Sequence, residues 1–288
     1  MPAQPPFFRS NASMGALASV SPARFAFWAS SSGLSALAAD AALGGKPGFF
    51  LLSLASLGWG ALVTSGVFFP WLEMYGGVVC RGPRGRGEVA LTFDDGPHPE
   101  TTPEVLRVLT GTPHRATFFV LGQKVRKYPE LARAIVDAGH TIGIHGDTHD
   151  RLHSFRTPWR VRDELLRAAD AIEAASGKRP QLFRPPLGHT TPATMRGARR
   201  AGVTPIGWSA RGYDGIRGRQ PDAVVRGVRR SLDDGAIVLL HDAAENDDFV
   251  PAGVSALPLL LAELGERGLR SVELERWFLN SASAGERP

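Results

Sequence analysis

The chain has 288 residues, 43% of them hydrophobic, which is enough for one large α/β domain with its own core and a smaller additional segment. Its net charge of +5, with Arg far outnumbering Lys, is typical either of proteins from a GC-rich genome or of a basic surface that faces phospholipid or an anionic glycan. The lack of a helix-turn-helix, zinc-finger or RNA-binding motif argues against nucleic acid as a partner, and the single cysteine, Cys80, excludes an intrachain disulfide.

The first 80 residues differ in composition from the rest. Residues 1–13 are polar and contain proline, which predicts a tail. Residues 48–72 contain no charged side chain and are numerous enough to cross about 30 Å of hydrocarbon as a helix. Trp71 and Tyr75 lie at one end of this run, where interfacial aromatic residues belong. The run therefore predicts a membrane span rather than a buried core helix.

A weaker apolar stretch covers residues 25–43 and is interrupted by Asp40. It is either a first membrane span, joined to the second by a turn at residues 44–47, or the core of a signal peptide with a cleavage-like motif at residues 36–38. The apolar span that follows directly favours the hairpin. We therefore expect a tail and membrane-anchoring region over residues 1–80, with one or two spans, and a catalytic domain over residues 81–288.

The distribution of charged residues does not determine on which side of the membrane the catalytic domain lies. Two spans would place both flanking segments on one side, and the positive-inside rule would make that side the cytoplasm. One span with the N-terminus inside would place the catalytic domain outside the cytoplasm. The basic residues on the two flanks then nearly balance: Arg81, Arg84 and Arg86 on one, and Arg9, Arg24 and Lys46 on the other.

From residue 88 onward, strand and helix signals alternate. Repeated βα units predict parallel strands, in either an open α/β sheet or a (β/α) barrel. Glycine follows several of the helical segments, which is the expected stop signal. The predicted strands cover residues 89–93, 116–121, 141–145, 182–184, 203–208, 236–240 and 269–274. The predicted helices cover residues 103–109, 130–138, 161–175, 191–201, 222–232 and 255–267.

Two acids and two histidines fall at the ends of predicted strands, where such folds place their sites. Asp94 and Asp95 are adjacent on an extended segment, so their side chains are expected to point in opposite directions and to do different work. Alone, an Asp-Asp-Gly tripeptide equally indicates a helix cap. His145 and His149, spaced by four, are expected to share one face of a helical turn and to reach one metal. His153 continues the spacing and is expected at the surface or behind the ligands.

One acid and two histidines make a catalytic zinc set with positions left open for water and substrate. The second acid then lies beside the metal, where it can take a proton from the water. This combination predicts a metal-dependent hydrolase.

Five short segments carry a family resemblance. They are Thr92-Phe93-Asp94-Asp95-Gly96, His145-x3-His149, Phe183-Arg184-Pro185-Pro186-Leu187-Gly188, Trp208-Ser209-Ala210-Arg211-Gly212-Tyr213-Asp214 and Ile237-Val238-Leu239-Leu240-His241-Asp242. In this order, residues 88–275 resemble the polysaccharide deacetylases, carbohydrate esterase family four, also called the NodB-homology domain. Four positions depart from the family pattern: Gly146 replaces Ser or Thr, Leu187 replaces Tyr, Arg211 stands where an Asp is common, and Gly215 replaces Trp.

The resemblance implies a fold and a metal site. The fold would be a distorted (β/α) barrel of about seven strands, preceded here by one or two N-terminal membrane helices. Asp95, His145 and His149 would be the metal ligands, with zinc or another divalent transition metal bound. Family members that modify polymers usually work outside the cytoplasm, so we expect the catalytic domain on the extracytoplasmic, periplasmic or cell-envelope side.

The resemblance also assigns the acid–base groups. Asp94 would be the general base that deprotonates the water, and Arg184 would hold it ionised and oriented. His241 would be the general acid that protonates the leaving amine. Asp214 would pair with His241 and raise its pKa, so that the imidazole carries a proton near pH 7.

Four further residues are expected to contact substrate. Leu239 would form the apolar wall of the acetyl pocket, and the backbone N–H of Leu187 would complete an oxyanion hole. Trp208 and Arg211 belong to the fourth segment, in which Arg211 either binds an anionic group or is a solvated loop charge. The implied substrate is an acetylated amino sugar in a poly- or oligosaccharide or a glycolipid. Two alternatives remain: an O-acetyl esterase or deformylase acting on a lipid-linked sugar, and a non-catalytic carbohydrate-binding homologue.

Overall fold

The structure, a computed structural model, describes residues 21–43 and 49–283. The tail expected at residues 1–13 and the turn expected at residues 44–47 lie outside these ranges. The described chain divides into two N-terminal helices and a parallel sheet covered by helices.

The two N-terminal helices pack against each other. Helix α1 spans Pro22–Ala42 and helix α2 spans Phe49–Phe68. The indole Nε1 of Trp59 in α2 donates a hydrogen bond of 2.9 Å to the hydroxyl of Ser31 in α1. In the part of the chain that the structure describes, one helix is long and apolar enough to cross a membrane, at Phe50–Phe68.

Helix α2 is shorter than the run of residues 48–72 from which it was predicted. It ends at Phe68, and a 3-10 turn at Pro70–Leu72 follows. Pro70 has no backbone N–H to donate to the preceding turn, which is why the α-helix does not continue through it.

The following domain alternates strands with helices. Its strands are β1 Glu88–Asp94, β2 Ala116–Val120, β3 Thr141–Ile144, β4 Leu182–Phe183, β5 Thr204–Pro205, β6 Ala210–Arg211, β7 Ile237–His241 and β8 Arg270–Ser271. Its helices are α3 Thr101–Leu109, α4 Gly122–Lys127, α5 Pro129–Asp137, α6 Pro158–Ser176, α7 Pro192–Ala201, α8 Pro221–Arg229, α9 Ala252–Glu266 and α10 Leu274–Ser283.

All the strand pairs are parallel, in the order β5-β4-β3-β2-β1-β7-β6, and β8 pairs with the first residues of β1. The edge strands β5 and β6 do not pair with each other, so the curled sheet is a distorted barrel that hydrogen bonds do not close. The prediction of about seven strands in such a barrel is confirmed.

Two strand predictions are wrong in detail. Residues 203–208 were expected to form one strand, but the strand there is only Thr204–Pro205, Ile206 forms an isolated parallel bridge with Val79, and a separate strand follows at Ala210–Arg211. Pro205 lacks the N–H that a longer ladder would need. Residues 269–274 were also expected to be a strand, but Leu274 already begins α10.

Strand β1 is buried along its whole length. Val89, Leu91 and Phe93 belong to the large core between the sheet and its helices, whereas Ala90 belongs to a smaller cluster on the other face. Because strand side chains alternate between faces, Thr92 and Asp94 share the inner face with Ala90. The sequence pattern of β1 thus directs a carboxylate into the middle of the curled sheet.

Candidate active site

A buried ion pair lies at the carboxyl end of β1. The Nη1 of Arg184 donates to Oδ1 of Asp94 at 2.8 Å and to the hydroxyl of Thr92 at 2.7 Å, while Nη2 donates to the carbonyl of Gly207 at 2.9 Å. Arg184 is 0% exposed and Asp94 is 3% exposed. The guanidinium also lies over the ring of Phe119, 4.3 Å from its centroid. These contacts fix the orientation of the Asp94 carboxylate.

Asp95 lies next to two imidazoles. Its Oδ1 is 3.4 Å from Nε2 of His145 and 3.5 Å from Nε2 of His149. All three side chains are buried, and one candidate ligand atom from each lies within 4.8 Å of the others. Zinc bonds of about 2.0–2.2 Å at tetrahedral angles would separate ligand atoms by about 3.3–3.6 Å. The spacing therefore fits a divalent metal.

The surroundings of these atoms also fit a metal. Oδ1 of Asp95 is buried without a hydrogen-bond partner in the described chain, a costly condition that a bound cation would relieve. Nδ1 of His145 lies 2.9 Å from the carbonyl of Arg184, so it carries the proton and leaves Nε2 with a free lone pair. Burial, followed by the charge of His149, keeps the pKa of His145 well below its usual value, and the ring is neutral.

The backbone around the cluster differs from what was expected. His145 and His149 do not share a helical turn, because Gly146 (φ 110°) and His149 (φ 49°) have left-handed dihedrals that no α-helix propagates. Asp95 has φ 73°, which turns it out of the strand direction, so both adjacent acids face one cavity instead of opposite sides. Such dihedrals are strained for residues other than glycine and often mark functional sites.

A second carboxylate–imidazole pair lies across the cavity. Nδ1 of His241, at the end of β7, is 3.1 Å from Oδ1 of Asp214, and the backbone N–H of His241 donates to Oδ2 at 2.7 Å. Burial acts to lower the pKa of His241, but the carboxylates of Asp214, Asp95 and Asp94 outweigh it and raise this pKa to about 10. The imidazole is therefore a proton donor at neutral pH.

The pKa of Asp94 is displaced toward neutrality as well. Burial raises it to about 6, although the charges of Arg184 and His241 oppose the rise. A carboxyl group with this pKa is ionised at pH 7 and basic enough to accept a proton in a reaction.

A cavity of about 430 Å³ brings the predicted substrate-contacting residues together. Leu239, Leu187, Trp208 and Arg211 all line it, beside the three residues of the metal cluster and both acid–base pairs. Leu239 is buried in its wall, whereas Leu187 is half exposed and has φ 58°. The structure thus places every predicted site residue at or directly behind one cavity; Arg184 lies behind Asp94.

Two residues of the site had not been expected from the sequence. Oε1 of Glu245 lies 3.2 Å from Nδ1 of His149, and both its oxygens lie near Arg151. The hydroxyl of Thr92 accepts a hydrogen bond from Arg184 and donates one to the carbonyl of Val238 at 2.7 Å. Glu245 is in a loop without periodicity, so no sequence signal identifies it. Thr92 could have been found from the alternation of β1.

His153 is not a surface residue, contrary to one of the two expectations. It is buried, and its Nδ1 lies 3.0 Å from Oε2 of Glu164 in α6. In the described chain, His153 contacts none of the candidate ligand atoms of Asp95, His145 and His149. Its contact with Glu164 therefore stabilises the loop that follows β3 and not the metal position.

Comparison with known proteins places this geometry in context. The family model described as polysaccharide deacetylase matches residues 81–206. A peptidoglycan-N-acetylglucosamine deacetylase from Bacillus cereus is 30% identical over 213 residues, which cover 74% of this chain and 76% of the relative. A chitooligosaccharide deacetylase from Bradyrhizobium sp. is 42% identical over 159 residues, 55% of this chain and 72% of the relative.

Solved structures show the same fold. A peptidoglycan N-acetylglucosamine deacetylase matches with a TM-score of 0.65 and 29% identity, over 73% of this chain and 95% of that one. A family 4 acetyl xylan esterase from Clostridium thermocellum, solved with a cobalt ion, matches with a TM-score of 0.61 and 30% identity, over 67% and 90%. A pseudoenzyme of carbohydrate esterase family four from Bacillus anthracis matches with a TM-score of 0.63 and 28% identity, over 72% of this chain and 70% of that one. Because the fold also occurs in a pseudoenzyme, the fold alone does not specify turnover, which depends on the side chains of the site.

Proposed function

Because this chain belongs to the polysaccharide deacetylase family, and so is a hydrolase of carbon–nitrogen bonds other than peptide bonds, we propose that it removes the N-acetyl group of an amino sugar in a glycan or glycolipid. The observation that supports this most is the convergence of two differently tuned acid–base pairs on one cavity beside the Asp95, His145 and His149 cluster. A binding protein has no use for a base and an acid at opposite sides of a metal position.

Asp94 is the general base in this proposal. Its carboxylate accepts a proton from the water that attacks the acetyl carbonyl, and Arg184 positions it for that step through the 2.8 Å contact to Oδ1. Arg184 makes its other contacts with Thr92 and Gly207, so proton uptake by Asp94 leaves the guanidinium in place. Base and ligand are separate residues, which lets Asp94 change protonation state without loss of the metal.

His241 is the general acid. Its Nδ1 is held by Asp214, which leaves Nε2 as the atom that delivers a proton to the leaving nitrogen of the sugar. The carboxylate of Asp214 keeps the imidazole charged until that step. The products are acetate and the free amine.

Asp95, His145 and His149 would hold a divalent ion, zinc by donor set. When bound, the ion activates water and polarises the carbonyl oxygen as a Lewis acid. The Arg184 carbonyl orients His145 through a hydrogen bond to its Nδ1, and the Glu245 carboxylate lies 3.2 Å from Nδ1 of His149.

The cavity walls receive the acyl group and the sugar. Leu239 forms the apolar surface against the acetyl methyl, and the backbone N–H of Leu187 faces the carbonyl oxygen. Trp208 offers a ring face for the sugar, and Arg211 lies at the outer margin, where it also lines a neighbouring cavity.

A second candidate reaction is removal of an O-acetyl group by the same residues. It is favoured by the likeness to the acetyl xylan esterase, which has the same fold at 30% identity. Deformylation of a lipid-linked sugar would need the same base and acid, with a smaller acyl group against Leu239.

The N-terminal region is proposed to anchor the protein in a membrane, with the catalytic domain over residues 81–288 on the extracytoplasmic side. Helix α2 supports the anchor by its length and composition. A reporter enzyme fused after Gly87 decides on which side of the membrane the catalytic domain lies. Alkaline phosphatase activity there supports the extracytoplasmic side, and β-galactosidase activity contradicts it.

The deacetylase proposal is tested with the full-length protein in detergent. Acetate release from chitotetraose, acetylated peptidoglycan and acetylated xylan is measured with zinc, with a chelator, and with zinc restored. Release that the chelator abolishes and zinc restores supports the proposal. Acetate released only from acetylated xylan supports the esterase instead.

A further inference from the structure

A second and larger cavity adjoins the catalytic one. It has a volume of about 770 Å³ and lies between the end of α2 and helix α8. Trp208, Arg211 and Tyr213 line both cavities, so a ligand in one can continue into the other. Nothing in the proposed deacetylation chemistry uses this second cavity.

The charge of the second cavity is one-sided. Five arginines line it, and no acidic residue does: the five are Arg81, Arg211, Arg219, Arg226 and Arg230. One of them, Arg81, is paired with a carboxylate, that of Asp233 at 2.6 Å. In a chain with 28 acidic residues, four arginines in one cavity without a paired carboxylate make a site suited to an anion.

Four of these cations lack an ion-pair partner. Within residues 21–43 and 49–283, the four arginines other than Arg81 have no carboxylate within 4.0 Å, whereas their neighbours Arg217 and Arg229 are paired. Arg211 lies over the ring of Tyr213, 4.3 Å from its centroid, which holds the guanidinium at the junction of the two cavities. The Nε of Arg219 is buried without a hydrogen-bond partner in the same part of the chain.

The opposite wall is apolar and belongs to the predicted anchor. Phe68, at the end of α2, and Phe69 and Trp71, just beyond it, line the cavity, and all three are exposed. Helix α2 is joined to the catalytic domain on this side, since Thr190 donates from its N–H to the carbonyl of Val67 at 3.1 Å and from its hydroxyl to that of Gly66 at 3.0 Å. The cavity therefore leads from the sugar position toward the apolar surface of α2.

We propose that this cavity binds the phosphate or diphosphate of a membrane lipid to which the substrate sugar is attached. The guanidinium groups pair with phosphate oxygens in the geometry that arginine favours. The hydrocarbon chain follows Phe68, Phe69 and Trp71 toward the bilayer, while the acetylated sugar reaches past Arg211 into the catalytic cavity. A soluble acidic glycan would need the arginines but not the aromatic wall. This inference rests on the deacetylase function proposed above and specifies its substrate as a phospholipid-linked amino sugar.

The test compares two substrates with one double variant. Full-length protein is assayed with N-acetylglucosamine joined through a diphosphate to a C15 prenyl chain, and with chitotetraose, which has neither phosphate nor lipid. Arg226→Gln with Arg230→Gln removes two unpaired cations that do not line the catalytic cavity. We expect kcat/KM for the prenyl diphosphate sugar to fall by roughly tenfold or more, as loss of charge-assisted hydrogen bonds predicts, while that for chitotetraose changes less than about twofold. Arg196→Gln with Arg199→Gln, an equal charge loss on α7 outside both cavities, is the matched control.

A binding measurement separates this inference from the deacetylase function. Calorimetry with Asp94→Asn protein and the prenyl diphosphate sugar does not depend on turnover. Tenfold weaker binding in the arginine double variant supports the assignment of the cavity to the lipid phosphate. This holds even if no acetate is released in any assay. The lack of acetate would refute the deacetylase function and not the cavity assignment. Equal binding and equal kcat/KM in the variant and wild-type proteins would refute the cavity assignment. So would a loss confined to flotation with vesicles of anionic phospholipid, because that result would assign the arginines to bilayer headgroups.

Discussion

The catalytic cavity and helix α2 have opposite arrangements of polarity. At the catalytic cavity, charged side chains are buried in the protein: Arg184 is 0% exposed and Asp94 is 3% exposed. In α2, the apolar groups are outside: Phe50 is 79% exposed and Leu57 is 73% exposed. Each arrangement is unfavourable in water unless something compensates it.

The compensation differs between the two regions. The buried charges are compensated within the protein, by the Asp94–Arg184 and His241–Asp214 contacts. Helix α2 contacts α1, Tyr75 and the loop at Thr190, but within the part of the chain that the structure describes these contacts leave Phe50 and Leu57 exposed. Charges buried in pairs thus indicate chemistry, whereas an exposed apolar surface indicates an environment, such as a membrane, that is absent from the structure.

The largest effect is expected from removal of a metal ligand. His145→Ala and His149→Ala each delete one of three ligand atoms and leave the buried Asp95 carboxylate with only one of its two neighbouring imidazoles. We expect stoichiometric zinc to be lost in elemental analysis, with activity at background. Glu164→Gln, next to His153 but outside the cluster, should keep its zinc. Full zinc content in both histidine variants would show that the ligands have been misassigned.

Loss of the base should be separable from loss of the metal. Asp94→Asn keeps the shape of the side chain and should retain zinc, because Asp94 is not one of the three cluster residues. Turnover should fall by about 10²–10⁴-fold, the usual contribution of one acid–base group. The comparison is with Asp95→Asn, which should lose zinc. If the two variants lose zinc equally, base and ligand are not distinct.

The pairing of His241 with Asp214 should be visible in the pH profile. The acid works in its protonated form, and the Asp214 carboxylate raises the pKa of His241 above its ordinary value of 6.5. Asp214→Asn removes one negative charge, lowers this pKa, and so moves the alkaline limb of kcat/KM to lower pH. The acidic limb, governed by Asp94, should move less. An alkaline limb that stays in place would contradict the pairing.

The smallest effect on catalytic activity is expected from changes in α2, which test whether its exposed apolar surface lies in a membrane. Leu54→Glu with Leu57→Glu places two charges on its exposed apolar surface, at a cost of roughly 2.5–3.5 kcal/mol each in a membrane interior. We expect the variant to shift from the membrane fraction toward the soluble fraction and to keep its activity on chitotetraose in detergent. Leu259→Glu, on an exposed position of α9, is the control that should not redistribute. Wild-type protein that is soluble without detergent would remove the case for an anchor.

Sequence reasoning was most accurate where a residue's surroundings are set by its own strand. The positions of Asp94, His145 and His241 at strand ends followed from apolar runs that stop abruptly, and the structure places all three at one cavity. It was least accurate where the backbone leaves regular structure. The helical turn expected for His145 and His149 is a loop, because Gly146 and His149 have left-handed dihedrals that no spacing of apolar residues encodes.

The sequence by itself determined the alternation of strands and helices, the candidate chemical residues and the length of the uncharged run, because these follow from the order and periodicity of side chains. Only the tertiary structure decided that Asp95 turns toward the two histidines, that Glu245 meets His149, and that five arginines from separate segments line one cavity beside the end of α2. The physical reason is that these arrangements depend on contacts between residues far apart in the chain, such as Arg184 with Asp94 across 90 positions. Such contacts are set by how the sheet curls and where its loops return, and no local pattern specifies either.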